Sequence, residues 1–163
     1  MLQSEHLSWD VLVDFDGSIA PDDPTDRILA NFADPLWRNL ELAWQEGRIS
    51  SRQCMQRQVE LLRVSPEMLD EQINSIRIDP GFSAFLDFCE AAGGRVSIVS
   101  VGLDRIITGA LGNLGRTLPI FANKLEWQGG DRWRLALPWL RCRRCKLQML
   151  TRATVLPGSR YCR

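Results

Sequence analysis

One histidine, His6, stands in the sequence of 163 residues, and it lies in a polar leader, Met1 to Trp9, that shows no pattern. The Ser/His and Cys/His pairings of nucleophilic catalysis are thereby set aside, because a lone His near a chain end reads as a solvated side chain. Net charge is missing as well. The 20 acidic and 20 basic residues cancel, so no overall field draws the chain to nucleic acid or to a membrane surface. No apolar run reaches about 18 residues and no apolar stretch opens the chain, which leads us to expect a soluble cytoplasmic protein. The five cysteines are odd in number and irregularly spaced, unlike a secreted disulfide framework. Internal repeats and low-complexity segments are also lacking. What is present suffices for one modest domain with a small insertion and a real core.

The organising stretch is Val11 to Ser18, V-L-V-D-F-D-G-S. Its apolar residues predict a short buried strand, after which Asp14 and Asp16 flank Phe15 ahead of Gly17. Strand side chains alternate with period two, so both acids would project the same way, and a turn at Gly17 brings them to the carboxyl end of the strand. Open α/β sheets bind their ligands at that end. Two carboxylates this close repel unless a cation or a shared proton offsets the repulsion, and a hard divalent ion such as Mg²⁺ suits them.

From Ala20 to about Ile78 the pattern is helical. Pro24-Thr25-Asp26 opens a first helix carrying Ile28, Leu29, Phe32, Leu36, Trp37, Leu40 and Trp44, with Trp37 and Trp44 expected in a helical core. Gly47 interrupts it. Ser50 or Ser51 caps a second helix with Met55, Val59 and Leu62, and Ser65-Pro66 opens a third through Leu69, Ile73 and Ile76. Asp79-Pro80-Gly81 then starts a helix through Phe85, Leu86, Phe88 and Cys89 that Gly93-Gly94 stops. A strand, Arg95 to Ser100, and a helix with Leu103, Ile106, Ile107 and Leu111 follow. Strand, helix and strand in this order argue a parallel sheet, with Ser100 at the end of the second strand, beside Asp14 if the two strands are neighbours. Pro119 to Ala122 reads as a third strand, and Lys124 to Trp127 and Arg132 to Leu137 flank the hairpin turn Gln128-Gly129-Gly130-Asp131. Cys142 and Cys145 form a C-x-x-C, open to zinc or to redox use, and Arg141, Arg143, Arg144 and Arg152 cluster around it. That cluster lacks the interleaved aromatics of a nucleic-acid patch.

D-F-D-G-S after an apolar strand resembles the first motif of the haloacid-dehalogenase-type phosphatases. The long helical insertion and the hairpin are similar to the phosphoserine-phosphatase-like branch, and more narrowly to the methionine-salvage phosphatase-like group. The resemblance implies an α/β fold: a Rossmann-like parallel sheet with a helical cap inserted after the first strand and a small β-hairpin. Residues 1–20 and 79–163 would form the core and residues 21–78 the cap. It further implies Asp14 as the nucleophile that forms an aspartyl-phosphate, Asp16 as general acid and base, and both as ligands of Mg²⁺. Ser100 would hold a phosphate oxygen together with backbone N–H groups of Val101 and Gly102 at the start of the next helix, and Lys146 would neutralise charge. Val101 departs from the pattern, because family members usually carry Gly or Asp there. The implied substrate is a small phosphorylated metabolite.

The fourth family motif, a Gly-Asp followed by another Asp, does not follow Pro157-Gly158 in this sequence. The resemblance therefore implies an incomplete catalytic unit with one side of Val11 to Asp14 uncovered, an edge that invites a homodimer. Two other readings remain open. One is a chain that keeps the fold and binds phosphate without turnover, and the other is a small cysteine-based zinc protein.

Overall fold

The computed structural model describes residues 9–138. Strand β1, Trp9–Val13, pairs in parallel with β2, Gly94–Leu103, in the register Val13↔Ile98. Strand β2 pairs in parallel with β3, Ile120–Gly129, and β3 turns back antiparallel into β4, Arg132–Ala136. The sheet order is β1-β2-β3-β4, so among the described residues β1 is an edge strand. Asp10 and Arg95, opposite one another in the register, are bridged by a hydrogen-bonded ion pair of 2.9 Å. Residues 96–100 of β2 are all buried, as befits an inner parallel strand covered on both faces.

Four helices lie between β1 and the helix that leads into β2. They are α1, Pro24–Phe32; α2, Trp37–Gln45; α3, Ser51–Glu60; and α4, Pro66–Asn74. Helix α5, Phe82–Ala91, then packs on β2, and α6, Asp104–Ala110, on β3. The starts are written in the side chains. Asp23 accepts the N–H groups of Thr25 and Asp26 at 2.9 and 3.1 Å, and Pro24 fills the first helical position, where its missing N–H costs nothing. Ser50 and Gln53 form a reciprocal capping box on α3, and Ser65 caps α4.

Two elements are divided differently from the sequence reading. The first predicted helix is divided in two, because Asp34-Pro35 interrupts it: α1 ends at Phe32 and α2 begins at Trp37. A proline excludes the helical conformation from the residue before it, and that local rule overrides the apolar spacing that spans the break. The predicted strand Pro119 to Ala122 and the hairpin arm Lys124 to Trp127 are one strand, β3, which serves the parallel sheet at its start and the hairpin at its end.

The insertion is fastened to the hairpin. The indole N–H of Trp133 in β4 donates to the Val64 carbonyl at 2.8 Å, and the Val64 N–H donates to the Asp131 carbonyl at 3.1 Å. Arg105 of α6 stacks over Trp133, 5.2 Å from its ring centre, and its guanidinium pairs with Asp70 of α4 at 2.7 Å. Among the described residues no helix is long and apolar enough to cross a membrane.

Candidate active site

The turn after β1 is built around Phe15, whose side chain is fully buried at 0% exposure. Its carbonyl accepts the N–H groups of Ser18, Ile19 and Ala20 at 3.3, 3.0 and 3.0 Å, which coils the chain tightly at this point. Gly17 sits at φ 69°, a conformation that a side chain disfavours. With Phe15 pinned in the core, its neighbours Asp14 and Asp16 are both held at the strand end, half-buried. Asp14 Oδ1 accepts the Phe15 N–H at 3.0 Å.

Ser100 meets Asp16. Its hydroxyl donates to Asp16 Oδ2 at 2.9 Å and accepts the Gly102 N–H at 2.8 Å. The aim follows from the register: Val13 pairs with Ile98, so the residues just past the end of β1 come level with the part of β2 that follows Ile98. The expected helix start at Val101 and Gly102 is not there. Strand β2 runs on to Leu103 and α6 begins at Asp104, so the Gly102 N–H is engaged by Ser100, while Val101 is 43% exposed. A Cβ on Gly102 would stand 3.1 Å from both Asp16 Oδ2 and Ser100 Oγ, a close approach that only glycine provides.

The electrostatics of Asp16 follow from this packing. Burial, then the neighbouring Asp23 carboxylate and more weakly Asp14, push its carboxyl up to about 6, against the opposing pull of the Ser100 hydrogen bond. This carboxyl therefore gains and loses its proton closer to neutrality than an ordinary aspartate does. Asp14 and Asp16 offer hard oxygen donors, which suit Mg²⁺ in kind, and a cation would relieve the repulsion that raises Asp16. Among the described residues no group of three His, Cys, Asp or Glu side chains is gathered to hold a metal ion.

Above these groups lies a cavity of about 340 Å³. Asp16, Val101, Gly102 and Asn123 form its sheet side, Asp23, Thr25 and Asp26 come from the start of α1, and Glu41, Trp44, Arg52, Cys54, Met55 and Gln58 from α2 and α3. Trp44, expected in a core, is instead 43% exposed on this wall, while Trp37 is buried as expected. Glu41 accepts the Gln58 amide at 3.0 Å, and burial together with Glu41 pushes the Cys54 thiol up to about 11, which keeps it protonated and unreactive. The sequence gives Asp23, Glu41 and Asn123 no place in a site and Thr25 and Asp26 only a place in a helix start, and that start is the one local signal pointing to this wall. Lys146 and the Cys142, Cys145 pair lie outside the described residues, and Cys54 and Cys89 are free.

The sequence pattern of the haloacid dehalogenase-like hydrolases matches residues 11–154. The chain belongs to the haloacid dehalogenase-like hydrolase family. Within it, a 2-hydroxy-3-keto-5-methylthiopentenyl-1-phosphate phosphatase of Geobacillus kaustophilus is 31% identical over 118 residues, which cover 71% of this chain and 54% of that protein. A protein of the same name from Brevibacillus brevis is 28% identical over 129 residues, 77% of this chain and 57% of that protein. A solved phospho-aspartyl intermediate analogue of phosphoserine phosphatase is 25% identical, with a TM-score of 0.61 over 77% of this chain and 60% of that one. The chain spans about half the length of the curated relatives it matches. The sheet with its helical insertion is the haloacid dehalogenase-like fold that D-F-D-G-S led us to expect.

Proposed function

We propose that the chain is the main part of a phosphatase acting on a small phosphomonoester, with residues 21–78 as the cap over the leaving group. The observation that carries this reading is the hydrogen-bonded line Gly102, Ser100, Asp16 at the ends of two adjacent parallel strands, under a cavity and beside a second carboxylate. An Asp14 oxygen attacks phosphorus, the bond from phosphorus to the ester oxygen breaks, and the protonated Asp16 gives its proton to the departing alcohol. Asp16, now a carboxylate, takes a proton from water as that water attacks the aspartyl-phosphate, releasing inorganic phosphate and restoring Asp14. A carboxyl raised to about 6 suits this two-way duty, since it gains and loses a proton near neutral pH. Ser100 holds Asp16 in place, and its hydroxyl would reach a phosphate oxygen only by turning away from Asp16. Mg²⁺, held by the Asp14 carboxylate and the Asp16 main-chain carbonyl, would offset the charge of the incoming phosphate and leave the Asp16 carboxyl to carry the proton. The cavity, about 340 Å³, matches a small metabolite in size.

The test is release of phosphate from a generic aryl phosphate in the presence of Mg²⁺. We expect Asp14→Asn to lower the rate by at least about a thousandfold, as loss of a nucleophile does. Release that survives this substitution rejects the assignment. A second reading is phosphate binding without turnover. Thermal protection by inorganic phosphate with no release at any Mg²⁺ concentration selects it.

A further inference from the structure

Strands β2 and β3 are paired at Val99↔Phe121 and again at Leu103↔Asn123. Between those points β2 has three residues where β3 has one, so residues 100–102 bulge from the ladder. A bulge leaves backbone polar groups without ladder partners, and here Ser100 is fully buried, where unpaired groups are costly. Two side chains close the gap. Ser100 Oγ takes the Gly102 N–H, and the Asn123 amide, Nδ2, donates to the Val101 carbonyl at 2.6 Å.

We propose that Asn123 is a positioning residue of this site: its amide fixes the bulge that aims Ser100 at Asp16 and keeps Gly102 close to both. The inference rests on the phosphatase reading given above and adds a residue to it. Asn123 is 6% exposed, in a strand where asparagine is disfavoured and an apolar residue would pack better. Its place there is accounted for by the bond it makes. The same nitrogen lies 3.6 Å from Met55 Sδ on α3, so one amide touches both the bulge and the cap wall of the cavity. Without that donor the Val101 carbonyl loses its partner, the bulge relaxes, and the Ser100 hydroxyl is no longer held between Gly102 and Asp16.

The experiment compares wild type with Asn123→Leu and Asn123→Asp by amide hydrogen exchange at single-residue resolution, alongside aryl-phosphate kinetics and inhibition by orthovanadate. We expect protection of the Gly102 N–H to fall at least about tenfold in both variants at neutral pH, while the Val96 and Ile98 amides keep theirs. We expect kcat to fall at least about tenfold and orthovanadate to bind correspondingly less well. In Asn123→Asp, Gly102 protection returns as pH falls, because a protonated carboxyl again donates to the Val101 carbonyl; wild type, in which Asp16 titrates in the same range, provides the baseline. A packing role cannot give that recovery. Unchanged Gly102 protection, or a loss spread evenly over β2 with no recovery on acidification, overturns the proposal. If Asn123→Leu does not fold, the near-isosteric Asn123→Asp decides alone. A wild-type chain that neither releases phosphate nor binds orthovanadate fails the phosphatase reading, whereas the exchange data judge Asn123 separately.

Discussion

The two walls of the cavity are made differently. On the sheet side, Asp16, Ser100, Gly102 and Asn123 are joined by short hydrogen bonds, with Ser100 fully buried and Asn123 nearly so. On the helical side, Trp44 and Arg52 stand exposed at the rim, and burial, then the Asp23 carboxylate and more weakly Glu41, raise the Asp26 carboxyl. Groups that share hydrogen bonds have one arrangement, while exposed side chains have many. The difference separates two tasks. The sheet wall can place a phosphoryl group to a fraction of an ångström, and the helical wall can adapt to what the phosphoryl group leaves behind.

Substituting Gly102→Ala tests the first half of that comparison and carries the largest effect. The added methyl stands 3.1 Å from Asp16 Oδ2 and from Ser100 Oγ, so one or both must shift. A displacement of this kind lowers kcat by about a hundredfold for every phosphomonoester alike, whatever its leaving group. Steady-state kinetics on an aryl and an alkyl phosphate check it. An effect confined to one substrate would mean that the sheet wall, too, reads the leaving group.

How much of this was visible in the sequence depends on the range of the interaction. The acids of D-F-D-G-S and the turn at Gly17 are local patterns, and each appears where its pattern put it; the apolar run into Ser100 is local too, but its strand goes on to Leu103. The Asp34-Pro35 break is local as well and was legible, but the apolar spacing across it concealed it. Asn123 is of another kind. Its role depends on β2 having two residues more than β3 between shared pairs, a relation between strands that no periodicity within either strand encodes. The aim of Ser100 at Asp16 is likewise a matter of register. The helical wall was out of reach for the same reason, since Glu41 and Arg52 reach the cavity only through the packing of α2 on α3.

The next contrast is electrostatic and of intermediate size. Asp16 sits at about 6 in the folded chain against an ordinary 3.8, so the native state binds its proton more tightly than the unfolded chain does. Its contribution to stability is therefore present at low pH and is lost as pH rises through the window from about 4 to 6. Allowing for the partial solvent exposure of the group, the loss is about 1 kcal/mol. Asn at this position has no charge to desolvate. In EDTA, Asp16→Asn should melt a few degrees above wild type near neutral pH and show a flatter pH dependence. Asp26→Asn, on the open wall, should gain less. Equal gains from the two substitutions would erase the distinction between the walls.

The smallest effect is expected at Trp44, and it is the most discriminating. Its indole is 43% exposed at the cavity rim and touches none of the groups at the strand end through a hydrogen bond. Truncation to Ala removes apolar contact with a leaving group but leaves the Asp16, Ser100, Gly102 line as it is. Partial burial of a ring against a ligand is worth about 1 kcal/mol, so KM should rise by a few-fold for a bulky aryl phosphate. For a short alkyl phosphate, which does not reach the rim, KM should stay where it was, and kcat should hold for both. If Trp44→Ala lowers kcat equally for the two substrates, the helical wall takes part in the chemistry and not only in the choice of leaving group.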